Sequence, residues 1–179
     1  MSVPEALLIR DLADAERAWA NAQYRAIRFE ATPPGAVALV AELAGARVGL
    51  GRLVAHVPGV SELGGIWTDE AARGRGVARA MVTALLARLE PGSQGSTAGD
   101  ARPGEPSSRG GEPGATGDRA GRHVAWCIPF AHLAAFYRSF GFADCPSPWP
   151  SPIAAKVAAC VVEGLPAVVV LARSHQAPR

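Results

Sequence analysis

Apolar positions recur along the chain with two periods, and the switches between them mark out its elements. Residues 6–10 form a short apolar run suited to a strand. Asp11 can cap a helix whose Ala-, Arg- and Trp-rich pattern runs towards Phe29, with a break near Asn21, before Thr32-Pro33-Pro34-Gly35 stops it. Residues 37–43 and 47–57 read as strands about Ala44-Gly45-Ala46, a hairpin signal, and Pro58-Gly59 turns the chain into a third strand, residues 60–68. Val77, Met81, Ala84, Leu85 and Leu89 then repeat at helical spacing. Further on, Val124, Trp126 and Ile128 alternate with Cys127 on a buried strand, residues 123–128. Ser151 and Pro152 make an N-cap and first-turn pair for a helix whose Ile153, Val157, Cys160 and Val161 share a face and which Gly164 ends. Residues 167–171 read as a closing strand.

The pattern breaks once. Residues 91–122 hold nine glycines, four prolines and four serines, and their only apolar side chains are alanines. Such a segment cannot bury enough surface to offset the entropy of ordering it. It reads as a disordered insert, residues 91–122, inside a single domain spanning residues 1–179. A tolerated surface insertion and a phosphorylation or partner segment are the two readings of it.

Composition narrows the classes further. Hydrophobic residues make up 49% of the 179, enough for a core of one domain. A formal charge of +2, and basic stretches without interleaved aromatics, argue against a nucleic-acid binder or a membrane-surface protein. Of 18 basic residues only Lys156 is a lysine, a skew that suggests a GC-rich coding sequence. Met1-Ser2-Val3-Pro4-Glu5 lacks the features of a signal peptide, and no apolar run approaches the roughly 20 residues of a membrane span. Cys127, Cys145 and Cys160 form no CxxC pair, so reduced thiols in a cytoplasmic protein are expected. No histidine pair has metal-ligand spacing, and no metal is expected. Hydrolase GxSxG, Walker A and dinucleotide GxGxxG patterns are absent.

The chemistry concentrates in Arg73-Gly74-Arg75-Gly76-Val77-Ala78, between a strand and a helix. A glycine turn opening a helix presents unpaired backbone N–H groups at the positive end of the helix dipole, a cradle for a diphosphate. Arg73, Arg75 and Arg79 add charge; a plain tight connection is the alternative. This Arg-x-x-Gly-x-Ala pattern resembles the acetyl-CoA-binding signature of the GNAT family of N-acetyltransferases. Ala135-Phe136-Tyr137-Arg138-Ser139-Phe140-Gly141-Phe142 resembles that family's helix ending in a tyrosine and followed by Gly-Phe. The resemblance covers nearly the whole chain outside the insert. It implies an α/β (α+β) fold with a central mixed, mostly antiparallel sheet flanked by helices, the second motif's helix falling at 131–140. A helix at 151–163 departs from the strand hairpin that the family more often has there.

The resemblance also assigns roles. Acetyl-CoA would be the acyl donor, its pantetheine arm and acetyl oxygen held along the splayed strand end Ile66-Trp67-Thr68, and its diphosphate by Arg73, Gly74, Arg75, Gly76, Val77, Ala78 and Arg79. Gly64-Gly65 just before is unusual inside a strand, and marks either a bulge with a ligand close to the backbone or a fit to a neighbouring helix. Glu62 precedes Arg73 by 11 residues, the spacing of the general base in the family's histone acetyltransferase branch; otherwise it is an exposed strand residue paired with an arginine. Tyr137 matches the tyrosine that protonates the departing thiolate, a role suited to a phenol of pKa about 10; otherwise it anchors the core. His132, at the start of that helix, either touches the ligands or caps the helix.

The implied activity is N-acetyl transfer to a small-molecule or peptide amine in a direct ternary complex, by a monomer or homodimer. A catalytically silent CoA-binding sensor or protein-interaction module is the alternative. The acceptor surface would combine Gln23, Tyr24, Arg28, the 146–152 loop and the 151–163 helix. Trp149, Tyr24 and few acids would suit a compact, partly apolar amine better than a polyamine.

Overall fold

The structure, a computed structural model, describes residues 6–89 and 122–176. The expected insert lies outside the described residues, except that Arg122 already belongs to a strand. Among the described residues seven strands form one sheet: β1 (Leu7–Asp11), β2 (Val37–Leu43), β3 (Ala46–Val57), β4 (Val60–Thr68), β5 (Arg122–Cys127), β6 (Ala143–Asp144) and β7 (Leu171–Gln176). Their order is β1-β2-β3-β4-β5-β7-β6, and every pair is antiparallel except β4 with β5. The helices are α1 (Arg17–Ala26), α2 (Val77–Ala87), α3 (Ala134–Arg138, after a 3-10 turn at Ala131–Leu133) and α4 (Ser151–Val162).

Alternation along the strands sorts the helices onto two faces. Leu39, Ala41, Leu43, Leu53, Leu63, Ala125 and Cys127 join the buried cluster of Val77, Met81, Val82 and Leu85 from α2 and Tyr137 from α3. Ala38, Val40 and Leu50 face Ala20 and Tyr24 of α1 instead, while Trp126 and Val170 pack on Ile153 of α4. So α2 and α3 cover one face, and α1 and α4 the other. A Cβ at Gly51 would come within 2.6 Å of Met81 and 2.9 Å of Ile66, so the missing side chain lets α2 lie close to the sheet.

Three local expectations are corrected. Asp11 does not cap α1; it ends β1 opposite Leu39 and pairs with Arg88 at 2.9 Å. The turn before α1 is closed instead by Glu16, whose carboxylate accepts from the Ala13 N–H at 3.1 Å, and α1 then runs unbroken past Asn21. The closing strand is Leu171–Gln176 rather than residues 167–171, which brings His175 into the ladder opposite His123. The 151–163 helix forms, but inside a hairpin that persists, since β6 and β7 pair across it.

Candidate functional site

The β4–β5 pairing covers only Val60–Glu62 against Val124–Trp126. Beyond Glu62, β4 keeps its partners in β3 and parts from β5, so the backbone edge of residues 63–68 opens into a cleft. The parting coincides with a bulge: Leu50 opposes Trp67 and Arg52 opposes Gly64, leaving Gly65 and Ile66 against Gly51 alone. Gly65 has φ +61, and a Cβ there would lie 2.7 Å from the Tyr24 hydroxyl, which donates to the Gly65 carbonyl at 2.9 Å. Both readings of the glycine pair therefore hold in part, because the bulge is present and α1 crowds one side of it.

At the end of β4 the Asp69 carboxylate accepts from the Ala71 N–H at 3.0 Å and starts a 3-10 turn, Glu70–Ala72. Gly76, at φ +80, is the residue before α2, and its carbonyl accepts from the Ala80 N–H at 3.0 Å. The first N–H groups of α2 thus point out of the helix without intrahelical partners. A Cβ on Gly74 or Gly76 would meet nothing within 4 Å, so the left-handed backbone, not lack of space, requires glycine there. Thr68, Ala72, Arg73, Gly74, Gly76, Val77, Ala78 and Arg79, with Phe136 from α3, line a cavity of about 240 Å³. A diphosphate and the adjoining arm of an acyl carrier fit this donor set. Arg73 makes a 3.6 Å contact to exposed Glu70, Arg79 lies over the Phe140 ring at 5.2 Å, and Arg75 is exposed in the same turn. Ile66 and Trp67 turn their side chains away, Ile66 towards Gly51 and Trp67 edge-on to Trp19 at 6.1 Å, which leaves only their backbone for the cleft.

Glu62 is not the exposed residue that one reading expected. It is 4% exposed and lies on the α4 face, at the last position of β4 that pairs with β5. Its carboxylate takes His56 Nε2 at 3.0 Å on one oxygen and Lys156 Nζ, from α4, on the other. Lys156 also donates to Glu30, and Glu30 in turn receives Arg52 at 2.9 Å through both its carboxylate and its carbonyl. Burial pushes the Glu30 carboxyl up, but the Lys156 hydrogen bond and the charges of Lys156, Arg52 and His56 outweigh it and hold it below its ordinary value. Lys156, His56, Glu30 and Arg52 were missed in the sequence. The signals available were the lone lysine and the shared strand face of residues 52 and 56; Glu30 lies in an irregular segment and gives none.

Tyr137 is buried between Phe136 and Phe142, whose rings it meets edge-on at 5.1 and 6.2 Å. Burial, then the neighbouring Cys127, pushes its phenol above the usual value, so it stays protonated at neutral pH. The Cys127 thiol is likewise raised by burial, as expected for an inert core thiol. His132 is exposed and stacks on Phe130 at 5.9 Å. Tyr24 is fully buried and does not line the acceptor surface expected of it. Trp149 instead lines a second cavity, about 350 Å³, with Cys145, Pro146, Val157 and Val168–Val170. Glu30 and Glu62, which lie outside the segments expected to form that surface, converge on Lys156 of the 151–163 helix. Among the described residues no group of three or more His, Cys, Asp or Glu could hold a metal, and no helix is long and apolar enough to cross a membrane.

The acetyltransferase (GNAT) family model matches residues 6–94. No curated protein matches the chain in sequence. Among solved structures, the ribosomal-protein-S18-alanine N-acetyltransferase of Escherichia coli is similar at 14% identity and TM-score 0.58, with 97% of each chain covered. An acyl-CoA N-acyltransferase from Pseudomonas aeruginosa is similar at 16% identity and TM-score 0.57, covering 94% of this chain and 99% of its own. The N-acetylglutamate synthase of Neisseria gonorrhoeae, in complex with coenzyme A and N-acetyl-glutamate, is similar at 10% identity and TM-score 0.62, covering 98% of this chain and 37% of its own. These structures share the fold, a mixed sheet flanked by helices. The chain belongs to the GNAT family of N-acetyltransferases.

Proposed function

We propose that the protein transfers an acetyl group from acetyl-CoA to a primary amine in a direct ternary complex. One observation carries the reading: β4 opens from β5 immediately after Glu62, and the opened strand runs straight into the glycine turn of α2. Donor and base are thereby aligned on one strand. The α2 N–H groups with Arg73, Arg75 and Arg79 hold the diphosphate, and the free edge at Ile66, Trp67 and Thr68 holds the arm and the thioester oxygen. Glu62 takes a proton from the acceptor ammonium, and His56, at 3.0 Å and partly exposed, carries it towards solvent. The neutral amine attacks the carbonyl carbon, and Tyr137 protonates the departing thiolate.

The acceptor is a small-molecule or peptide amine. Glu62 and Glu30 together suit one ammonium, and the apolar cavity beside Val157 and Trp149 suits a carbon body. Titration calorimetry with acetyl-CoA, followed by thiol release across a panel of amines, tests the reading. Binding with amine-dependent thiol release is expected; absence of binding at millimolar ligand overturns it. A silent CoA-binding module is the second reading, favoured by the fact that Lys156 already occupies Glu62. It requires binding without thiol release from any amine.

A further inference from the structure

Lys156 is the only lysine of the chain, and α4 delivers it to one place. Ile153, fully buried against Trp126 and Val170, fixes the first turn of the helix. Lys156 and Val157 lie three and four residues on, so they face the same way. The Lys156 ammonium therefore reaches the α1/α4 face of the sheet, where Glu62 and Glu30 both accept from it and the Phe29 ring lies 5.3 Å away. The side chain keeps 21% exposure, so it is not sealed in the core. The 17 other basic side chains are arginines, whose guanidinium stays protonated and is a poor nucleophile.

An ammonium resting on a buried carboxylate at the mouth of the cleft holds the relation to the base that the reaction asks of its acceptor. We infer that Lys156 is an acceptor built into the chain, and that the enzyme acetylates this lysine on itself. The inference rests on the proposed transfer from acetyl-CoA. The Lys156 ammonium gives one proton to Glu62, and its lone pair forms the N–C bond to the acetyl carbon. The C–S bond breaks, and the sulfur leaves as coenzyme A thiol with the proton of Tyr137. The second proton shed by the nitrogen restores the phenol through solvent. In sum, one ammonium and one thioester give one amide, one thiol and one proton. The amide carries no charge, so it cannot remain paired with two carboxylates, and Glu62 is released to serve an outside amine. Transfer to a free amine should then be slow at first and quicken as the lysine is modified.

Incubation of the full chain with acetyl-CoA, followed by intact-mass and peptide mass spectrometry, tests the inference beside the amine panel. One acetyl group on Lys156 is expected, gained at a rate independent of protein concentration and at least tenfold slower in Glu62→Gln. Lys156→Arg, which keeps the charge between the carboxylates, should bind acetyl-CoA as the parent does but take up no acetyl group. Calorimetry with acetyl-CoA on both variants confirms that they are folded. Thiol release to outside amines with Lys156 unmodified overturns the inference and leaves the proposed function standing. Modification of Lys156 at the same rate in Glu62→Gln, or a rate proportional to protein concentration, also overturns it. Binding of acetyl-CoA with neither Lys156 acetylation nor thiol release overturns the proposed function itself.

Discussion

The two halves of the site are built on different principles. The cradle from Thr68 to Arg79 is contiguous in sequence and made of backbone: two left-handed glycines and the first turn of α2. The base pocket is made of side chains brought from β3, β4, α4 and the segment before β2, with Lys156 lying 94 residues from Glu62 and 126 from Glu30. The cradle offers dipoles that any diphosphate can use. The pocket holds opposite charges against one another in a space where a lost partner is costly. The difference predicts that changes in the cradle will act on donor binding, whereas changes in the pocket will act on turnover, acceptor choice and stability.

The largest effect should come from the pocket. Glu62→Gln removes the proposed base while keeping the shape, and kcat should fall by about 10²- to 10⁴-fold with the affinity for acetyl-CoA nearly unchanged. Calorimetry and steady-state kinetics on the same preparation separate the two. A proportionate loss of acetyl-CoA binding would erase the distinction between the halves. Tyr137→Phe should come next, at the low end of the same range, about 10²-fold in kcat, because a water can replace a buried phenol as proton donor only poorly.

The cradle should give smaller changes of a different kind. Gly76→Ala forces a side chain into φ +80, at about 1–2 kcal/mol, with nothing nearby to clash. Acetyl-CoA affinity should drop by about tenfold, the factor equivalent to 1.4 kcal/mol, while kcat at saturation holds. Arg73→Glu should weaken binding by a similar factor, and the loss should shrink as salt is raised. A change in kcat equal to that of Glu62→Gln would again break the comparison.

This contrast also explains what could be read in advance. The Ala44–Gly45 hairpin, the 60–68 strand and the glycine turn into α2 are local, and turn residues with a change of apolar period specify them. The closing strand was misplaced for a physical reason. The apolar run Val168–Val170 is extended and bonded at three points, by a bridge to Phe130 and hydrogen bonds with Pro129 and Cys145, yet the ladder begins only at Leu171. Beyond β6 the strand continues with polar Arg173 and exposed Ser174 against β5 alone, where burial no longer demands apolar residues. In the proposed site, Glu62 and Tyr137 are the residues that family spacing points to. Lys156 was visible as an oddity without a meaning, because its partner is fixed by how Ile153 seats α4 and not by anything near it in sequence. Glu30 and Arg52 had no local signal at all.

The smallest predicted effect concerns pH. The Glu30 carboxyl is desolvated by its surroundings, yet the Lys156 hydrogen bond and the charges of Lys156, Arg52 and His56 hold it below its ordinary 4.5. A carboxylate depressed in the folded state binds protons more readily when unfolded, so its contribution to stability is complete above 4.5 and is lost as pH falls through the lower, folded value. The side chain is 59% exposed, so water screens the pairing and the contribution should be no more than about 1 kcal/mol. Urea unfolding of the parent and of Glu30→Gln, from neutral pH down past 4.5, should show the parent losing its advantage over the variant only in the acid range. Gly76→Ala changes no charged group, so its offset from the parent should stay constant over the same range. A constant offset for Glu30→Gln as well would mean that the charges around Glu62 do not act on folding. The pocket would then be set by packing, as the cradle is set by its backbone.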